Sequence, residues 1–296
     1  MSRTWAWTWM GAGLACAAAL AVTGAARAAD PADLARAAAA YRAQLQADPN
    51  RPDIRARLGE TLESLGQPDA AMAEYERAIH GPGDVRRALI DRGHLLVSRG
   101  RFDEGRKDFN RALSINPKDV EALTARGASW VAEGKGKKAG AAMADFSAAL
   151  AIRPGDPGAL NARGNFYLAE LKPELALADF NKALAASPKD DVVLFNRGVA
   201  YKQLGRYDSA LRDFNAVLRL TPGDPMTLAA KGDAYRQLGD LLLAREFYDA
   251  ALKADPRNAV SWEARGEIRA ALGDGPGGEA DKARARKLNP SIEAQS

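Results

Sequence analysis

The chain has 296 residues, 47% hydrophobic and 27% charged, which excludes an intrinsically disordered chain and a multi-spanning membrane protein. Its formal charge is +4, and its charges are interspersed, so the basic balance gives no reason to expect a nucleic-acid partner. Aromatic residues are only 7%, and alanine is abundant, which favours packed helices over sheet.

The first segment reads as an address. Arg3 is followed by an uncharged stretch from Thr4 to Ala26, then by Ala26-Arg27-Ala28 just before Asp30-Pro31. A basic start, an apolar middle and a small-residue exit are the form of a secretory signal peptide, residues 1–28, cut after Ala28 or Ala29. The alternative is an uncleaved anchor, since the stretch is long enough to span a bilayer. The lone cysteine, Cys16, lies inside it, and the context does not support a lipoprotein site: Gly13 stands where an aliphatic residue is needed. The exported chain therefore has no thiol for a disulfide, a metal or nucleophilic catalysis. It is long enough to fold without disulfides. Removal of Arg3 and Arg27 lowers the charge to +2.

Residues 29–49 are expected to form one helix, with Ala37 and Tyr41 on its buried side, closing the N-terminal end of the folded chain. From 50 to 290 one unit repeats. Glycines recur at Gly59, Gly93, Gly127, Gly164, Gly198, Gly232 and Gly266, spaced by 34 residues except for one interval of 37. Prolines at 117, 154, 188, 222, 256 and 290 keep the same ruler. Each glycine has a large residue four positions before it and, in most units, another three after it, which places all three on one face of a helix. A second periodic set, Tyr75, Phe109, Phe146, Phe180, Phe214 and Tyr248, each followed three residues later by alanine or valine, marks a second helix. Each repeat glycine lets the second helix approach the first closely. A further glycine (Gly66, Gly100, Gly134, Gly205, Gly239, Gly273) ends the first helix, and proline stops the second.

These residues resemble the tetratricopeptide repeat family, over about 49 to 290. The resemblance implies an all-α, right-handed α-solenoid of antiparallel helix pairs, about seven 34-residue repeats with an N-terminal capping helix. One departure recurs: the position before the glycine is basic in six units (Arg92, Arg126, Arg163, Arg197, Lys231, Arg265), its stem expected to cover the helix pair with the head in water. The last second helix has Lys282 in place of the aromatic, and Gly273-Asp274-Gly275-Pro276-Gly277-Gly278 suggests fraying from 274 onward. Residues 291–296 are expected to be a disordered tail. The three extra residues of the third unit fall in a basic loop, 135–138, read as solvated or as a contact for an acidic partner or headgroups.

The catalytic inventory is small. There is no P-loop, no HExxH and no His-Cys ligand pairing, and the carboxylates are expected at solvent-facing positions or turns. His94 reads as a groove or packing residue and His80 as solvated in a turn. The expectation is a non-catalytic chain with no metal and no cofactor. The resemblance implies a partner-binding face formed by the first helices: Arg87, Ile90, His94, Asn161, Asn165, Phe195, Asn196, Val199 and Lys202 carry over onto it. Charged residues flank it, Asp53, Glu60 and Glu63 at one end and Asp233, Arg236, Gln237, Glu263 and Glu267 at the other. Asparagine amides there would pair with the backbone of an extended peptide. Asn165 and Asn196 match two positions of the family's carboxylate-binding clamp, but Asn161, Met226 and Ala230 stand where its cations should be, so that grip is not expected. The reading is an exported, periplasmic scaffold or adaptor of a Gram-negative envelope, binding a protein or extended peptide and neither nucleic acid nor a small-molecule substrate. The alternative is a membrane-held assembly or secretion subunit, anchored in the inner membrane by an uncleaved N-terminus, with membrane contact limited to that segment or the 135–138 loop.

Overall fold

The computed structural model describes residues 30–134 and 138–290. The signal peptide, most of the 135–138 loop and the 291–296 tail lie outside the described residues. The described residues are all-α, fifteen helices without a strand, and divide between two units, one ending at Glu170 and one beginning at Leu171.

In the N-terminal unit, α1 (Pro31–Ala47) packs on α2 (Pro52–Ser64), burying Ala38 and Leu45 with Tyr41 partly covered. Helix pairs follow: α2 with α3 (Pro68–His80), α4 (Arg86–Ser98) with α5 (Phe102–Ile115), and α6 (Val120–Ala132) with α7 (Ala139–Ile152). Helix α8 (Pro157–Ala169) rests on α6 and α7. First helices also touch in register: α2 meets α4, α4 meets α6, and α6 meets α8. In the C-terminal unit α9 (Pro173–Ala186) packs on α10 (Asp191–Gln203). The pairs there are α10 with α11 (Tyr207–Leu220), α12 (Pro225–Leu238) with α13 (Leu241–Ala254), and α14 (Ala259–Ala271) with α15 (Gly275–Leu288).

The periodic residues build each pair. The six aromatics of the second helices are at most 1% exposed, and Tyr75, Phe109, Phe146, Phe214 and Tyr248 each lie against a repeat glycine. A Cβ on Gly198 would stand 2.5 Å from Phe214 Cε1, and one on Gly127 2.7 Å from Phe146 Cε1. The glycine is therefore required by the ring and not by backbone freedom, because a methyl group and the ring cannot share the space. The residue before each proline is extended (Asn116 at φ −134°), which ends the second helix. Two residues after the proline an aspartate or asparagine starts the next helix: Asp119 accepts from Ala122 N at 3.0 Å, Asp190 from Val193 N at 3.0 Å and Asn258 from Ser261 N at 2.9 Å. The turn inside each pair uses left-handed glycine, as at Gly66 (φ 70°) and Gly205 (φ 69°). The fourth repeat lacks it, and Leu171 adopts φ 56° there.

Two expectations are corrected. The last helix does not fray from 274: Asp274 caps it through Gly277 N at 2.9 Å, and it runs to Leu288. Gly278 lets it dock, since a Cβ there would lie 2.7 Å from Gly266 O. The basic residue before the repeat glycine does not end in water. Arg92, Arg126, Arg197 and Arg265 each make a two-pronged contact to an aspartate of the paired second helix: Asp108, Asp145, Asp213 and Asp281. Arg126, Arg197, Lys231 and Arg265 also reach back to Asn110, Asn181, Asn215 and Asp249 of the preceding second helix. Asp108, Asp145, Asp213 and Asp281 are buried, contrary to the solvent-facing expectation. The contact joins one repeat to the next, and its planar fork suits arginine.

Candidate functional site

The first helices present one face in each unit. In the N-terminal unit it carries a charge cluster assembled from three successive first helices. Arg87 on α4 donates from Nε to Asp91 Oδ2 at 2.9 Å, one helical turn away. Its Nη2 lies 3.8 Å from Glu60 on α2 and its Nη1 3.6 Å from Glu121 on α6. Burial raises the Asp91 carboxyl to about 7, Arg87 opposes that rise, and Glu121 and Glu60 add to it. Burial alone would lower the Arg87 pKa, but Asp91, Glu121 and Glu60 raise it further still. His94 is held down to about 4, first by burial and then by Arg87, so its ring is neutral at neutral pH. The ring meets Phe109 edge-on with centroids 5.4 Å apart, and Nε2 is enclosed without a hydrogen-bond partner. Burial also raises the Glu63 carboxyl, against the hydrogen bond that Tyr75 OH donates to it at 2.5 Å.

The remaining expected residues scatter in depth. Ile90 is 2% exposed and belongs to the core, and Asn161 is buried. Asn165 is half-buried, with Oδ1 lacking a partner. In the C-terminal unit Asn196 is buried, Phe195 and Val199 are half-buried, and Phe195 packs on Phe214 with centroids 5.7 Å apart. Lys202 is not open: its Nζ binds Asp233 Oδ2 at 2.7 Å. Asp233 also accepts from Tyr248 OH, and Arg236 binds Glu267 at 2.8 Å. Burial would raise the Asp233 carboxyl, but Lys202, Tyr248 and Arg236 together lower it. His80 is exposed as expected, although it ends α3, its Nδ1 2.7 Å from Glu76 O. Of the 135–138 loop, Lys138 binds Glu133 at 2.6 Å and lies 4.7 Å above Trp130, whose ring also carries Arg106 at 3.9 Å.

Among the described residues no group of three His, Cys, Asp or Glu side chains is placed to hold a metal ion. No described helix is long and apolar enough to cross a membrane. Arg87 and Glu60 were expected on this face; what sequence reasoning missed is Asp91, Glu121 and the meeting of all four. The signal for Asp91 was an i, i+4 spacing of opposite charges, which the repeat register obscured.

Helix pairs in register, with repeat glycines packed under the second-helix aromatics, define an α-solenoid of the kind that serves as a protein-interaction scaffold. Tetratricopeptide repeat family profiles match residues 28–87, 90–157, 192–224 and 227–258. The chain belongs to the tetratricopeptide repeat family. It is 30% identical to human DnaJ homolog subfamily C member 3 over 93 residues, 31% of this chain and 18% of that protein, so it spans a small part of that relative's length. Among solved structures, a tetratricopeptide repeat protein from Parabacteroides merdae superposes with a TM-score of 0.60 at 21% identity, over 80% of this chain and 93% of that one. PilW, a widely conserved type IV pilus biogenesis factor, superposes with a TM-score of 0.63 at 20% identity, over 71% of this chain and 96% of that one. At such identities the likeness is one of fold.

Proposed function

We propose that the protein is an exported, non-catalytic adaptor of a bacterial envelope that binds a protein or an extended peptide on the face of its first helices. The observation that carries the reading is two polar atoms that the helix pairs leave without a partner, His94 Nε2 on α4 and Asn165 Oδ1 on α8, while Gly93 on α4 is closed against the Phe109 ring. A buried polar atom without a partner is costly, so a fold retains it where an occupant can satisfy it. The signal-like segment before Asp30 supports an exported setting.

The test is site-specific photo-crosslinking in the source cells. A photoreactive residue at Arg87 or Val199, on the first helices, is compared with one at Glu76 or Arg212, on second helices. Adducts to a common partner from the first pair alone support the reading. Adducts from the second pair alone sink it. Intact mass of the recovered chain tests export: a start at Ala29 or Asp30 means cleavage, and the full-length mass means an anchored subunit.

A further inference from the structure

We propose that Asp91 is a proton-operated latch on the joint between the second repeat and its two neighbours: ionised, it holds Arg87 along α4, and protonated, it releases Arg87 to tie α4 to α2 and α6. The geometry is a competition of three carboxylates for one guanidinium. Arg87 Nε donates to Asp91 Oδ2 at 2.9 Å within α4. Its Nη2 and Nη1 stand 3.8 Å from Glu60 on α2 and 3.6 Å from Glu121 on α6, beyond hydrogen-bond length. The three carboxylates differ in burial. Asp91 is 8% exposed, and Arg87 is its one hydrogen-bond partner among the described residues. The Glu60 and Glu121 side chains are 58% and 45% exposed. Water therefore supports the charges of Glu60 and Glu121, whereas Arg87 alone supports that of Asp91. With three negative groups around one positive group, the buried carboxylate is the first to take up a proton.

The surroundings fix the sign and the range. On α4 itself Arg87 opposes protonation, while the His94 ring, held down to about 4, is neutral and adds no counter-charge. From α2 Glu60 acts on Asp91 directly. Glu63, coupled to Glu60, accepts from Tyr75 OH of α3 at 2.5 Å, and that hydroxyl stays protonated. From α6 comes Glu121. On α5 Asp108 is already consumed by Arg92. Burial, Glu121 and Glu60 outweigh Arg87 and bring the Asp91 carboxyl to about 7. Once Asp91 is neutral, the guanidinium charge is left to Glu60 and Glu121, and the cluster loses one of its excess negative charges. Arg87 is then drawn into the gaps toward Glu60 and Glu121, each of which joins α4 to a different repeat. Solenoid stability is largely a sum of terms between neighbouring repeats, so a proton on Asp91 strengthens these two junctions. The effect ends at the lower pH where Glu60 and Glu121 themselves titrate.

The experiment is a double-mutant cycle in the full chain, Arg87→Gln against Glu121→Gln, read by urea unfolding at pH 5.5 and at pH 8, on either side of the Asp91 value. The coupling, as a factor in the folding equilibrium constant, is expected to be about three-fold or more larger at pH 5.5. Titration of His94 and of the unfolded chain enters the paired arms alike and cancels. Repeated in Asp91→Asn, which mimics the neutral acid, the cycle should return the larger coupling at both pH values. A coupling that is equal at the two pH values, or larger at pH 8, overturns the latch. So does a pH dependence that survives in Asp91→Asn, because the proton then belongs to another group. Should Asp91→Asn fail to fold, carbon-13 NMR of the unsubstituted chain decides. An Asp91 carboxyl that titrates with a midpoint above pH 6 supports the latch, and a midpoint below pH 6 overturns it.

Discussion

Arg197 and Asp213 face each other across a helix pair with two parallel hydrogen bonds, Nε to Oδ2 and Nη2 to Oδ1, both 2.8 Å. The same fork recurs at Arg92–Asp108 and Arg265–Asp281. Arg197 also reaches Asn181 at 2.9 Å, so one guanidinium ties its own repeat to the one before. Removing the carboxylate strands a largely buried cation. Asp213→Ala is expected to destabilise the chain by about 2–4 kcal/mol, at the low end of the buried-pair range because Arg197 keeps some contact with water. Replacing both partners, Arg197→Met with Asp213→Leu, should recover most of that. Urea unfolding of the single and double variants decides: a harmless Asp213→Ala would show that the fork is ornamental.

The glycine ladder makes a sharper steric claim. Gly198→Ala places a methyl group against the Phe214 ring and should cost about 1–3 kcal/mol or more, because the ring is fully buried and cannot yield. Gly140 sits in a helix with open space around its Cβ position, so Gly140→Ala should instead stabilise by about 0.5–1 kcal/mol. Opposite signs in thermal unfolding are the expected outcome. The same sign at both positions would refute the contact.

Leu171 occupies the left-handed conformation that glycine fills in the other repeats, and its side chain is 48% exposed. That conformation costs a non-glycine residue about 1–2 kcal/mol, and little burial offsets it. Leu171→Gly should therefore raise stability by about 0.5–1 kcal/mol after the added freedom of the unfolded chain is counted. A lower melting temperature would mean that the leucine makes contacts worth more than its strain.

The two titrating groups of the N-terminal cluster act in opposite directions. Asp91 is raised to about 7 in the folded chain, so its contribution is fully present below its ordinary value of 3.8 and is lost as pH rises toward 7. His94 is lowered to about 4, so its contribution is present above its ordinary 6.5 and is lost as pH falls toward 4. The slopes oppose each other between about pH 4 and 6.5. Asp91→Asn should leave a chain that gains stability with rising pH across that window, and His94→Gln one that loses it. Urea midpoints measured from pH 4 to 8 test the pair; identical slopes in both variants would contradict the assignment.

The helices, their pairing and the core were legible before any coordinates, because a 34-residue period fixes which residues share a face. Gly93 and Phe109 announce each other through spacing alone. The site was legible only in outline. Ile90, Asn161 and Asn196 fall on the expected register yet are buried, since register gives direction and not depth. Lys202 falls there too, but its charge is consumed by Asp233, 31 residues away in the chain. The basic residue before the repeat glycines was visible as a pattern and misread, because the aspartate partner of Arg92, Arg197 and Arg265 lies 16 positions on, and that of Arg126 lies 19 on, where neither helical nor strand spacing directs attention.

What the sequence determined by itself is the repeat: its length, its two helices, its turns and the close approach at each glycine, all of them local or periodic. What only the tertiary structure decided is where the charges go. Whether Arg87 stands free or among Glu60, Asp91 and Glu121, and whether Arg197 meets water or Asp213, depends on side chains brought together from different helices. Long-range electrostatic partners follow from distance and burial in the folded chain, and a one-dimensional pattern carries neither.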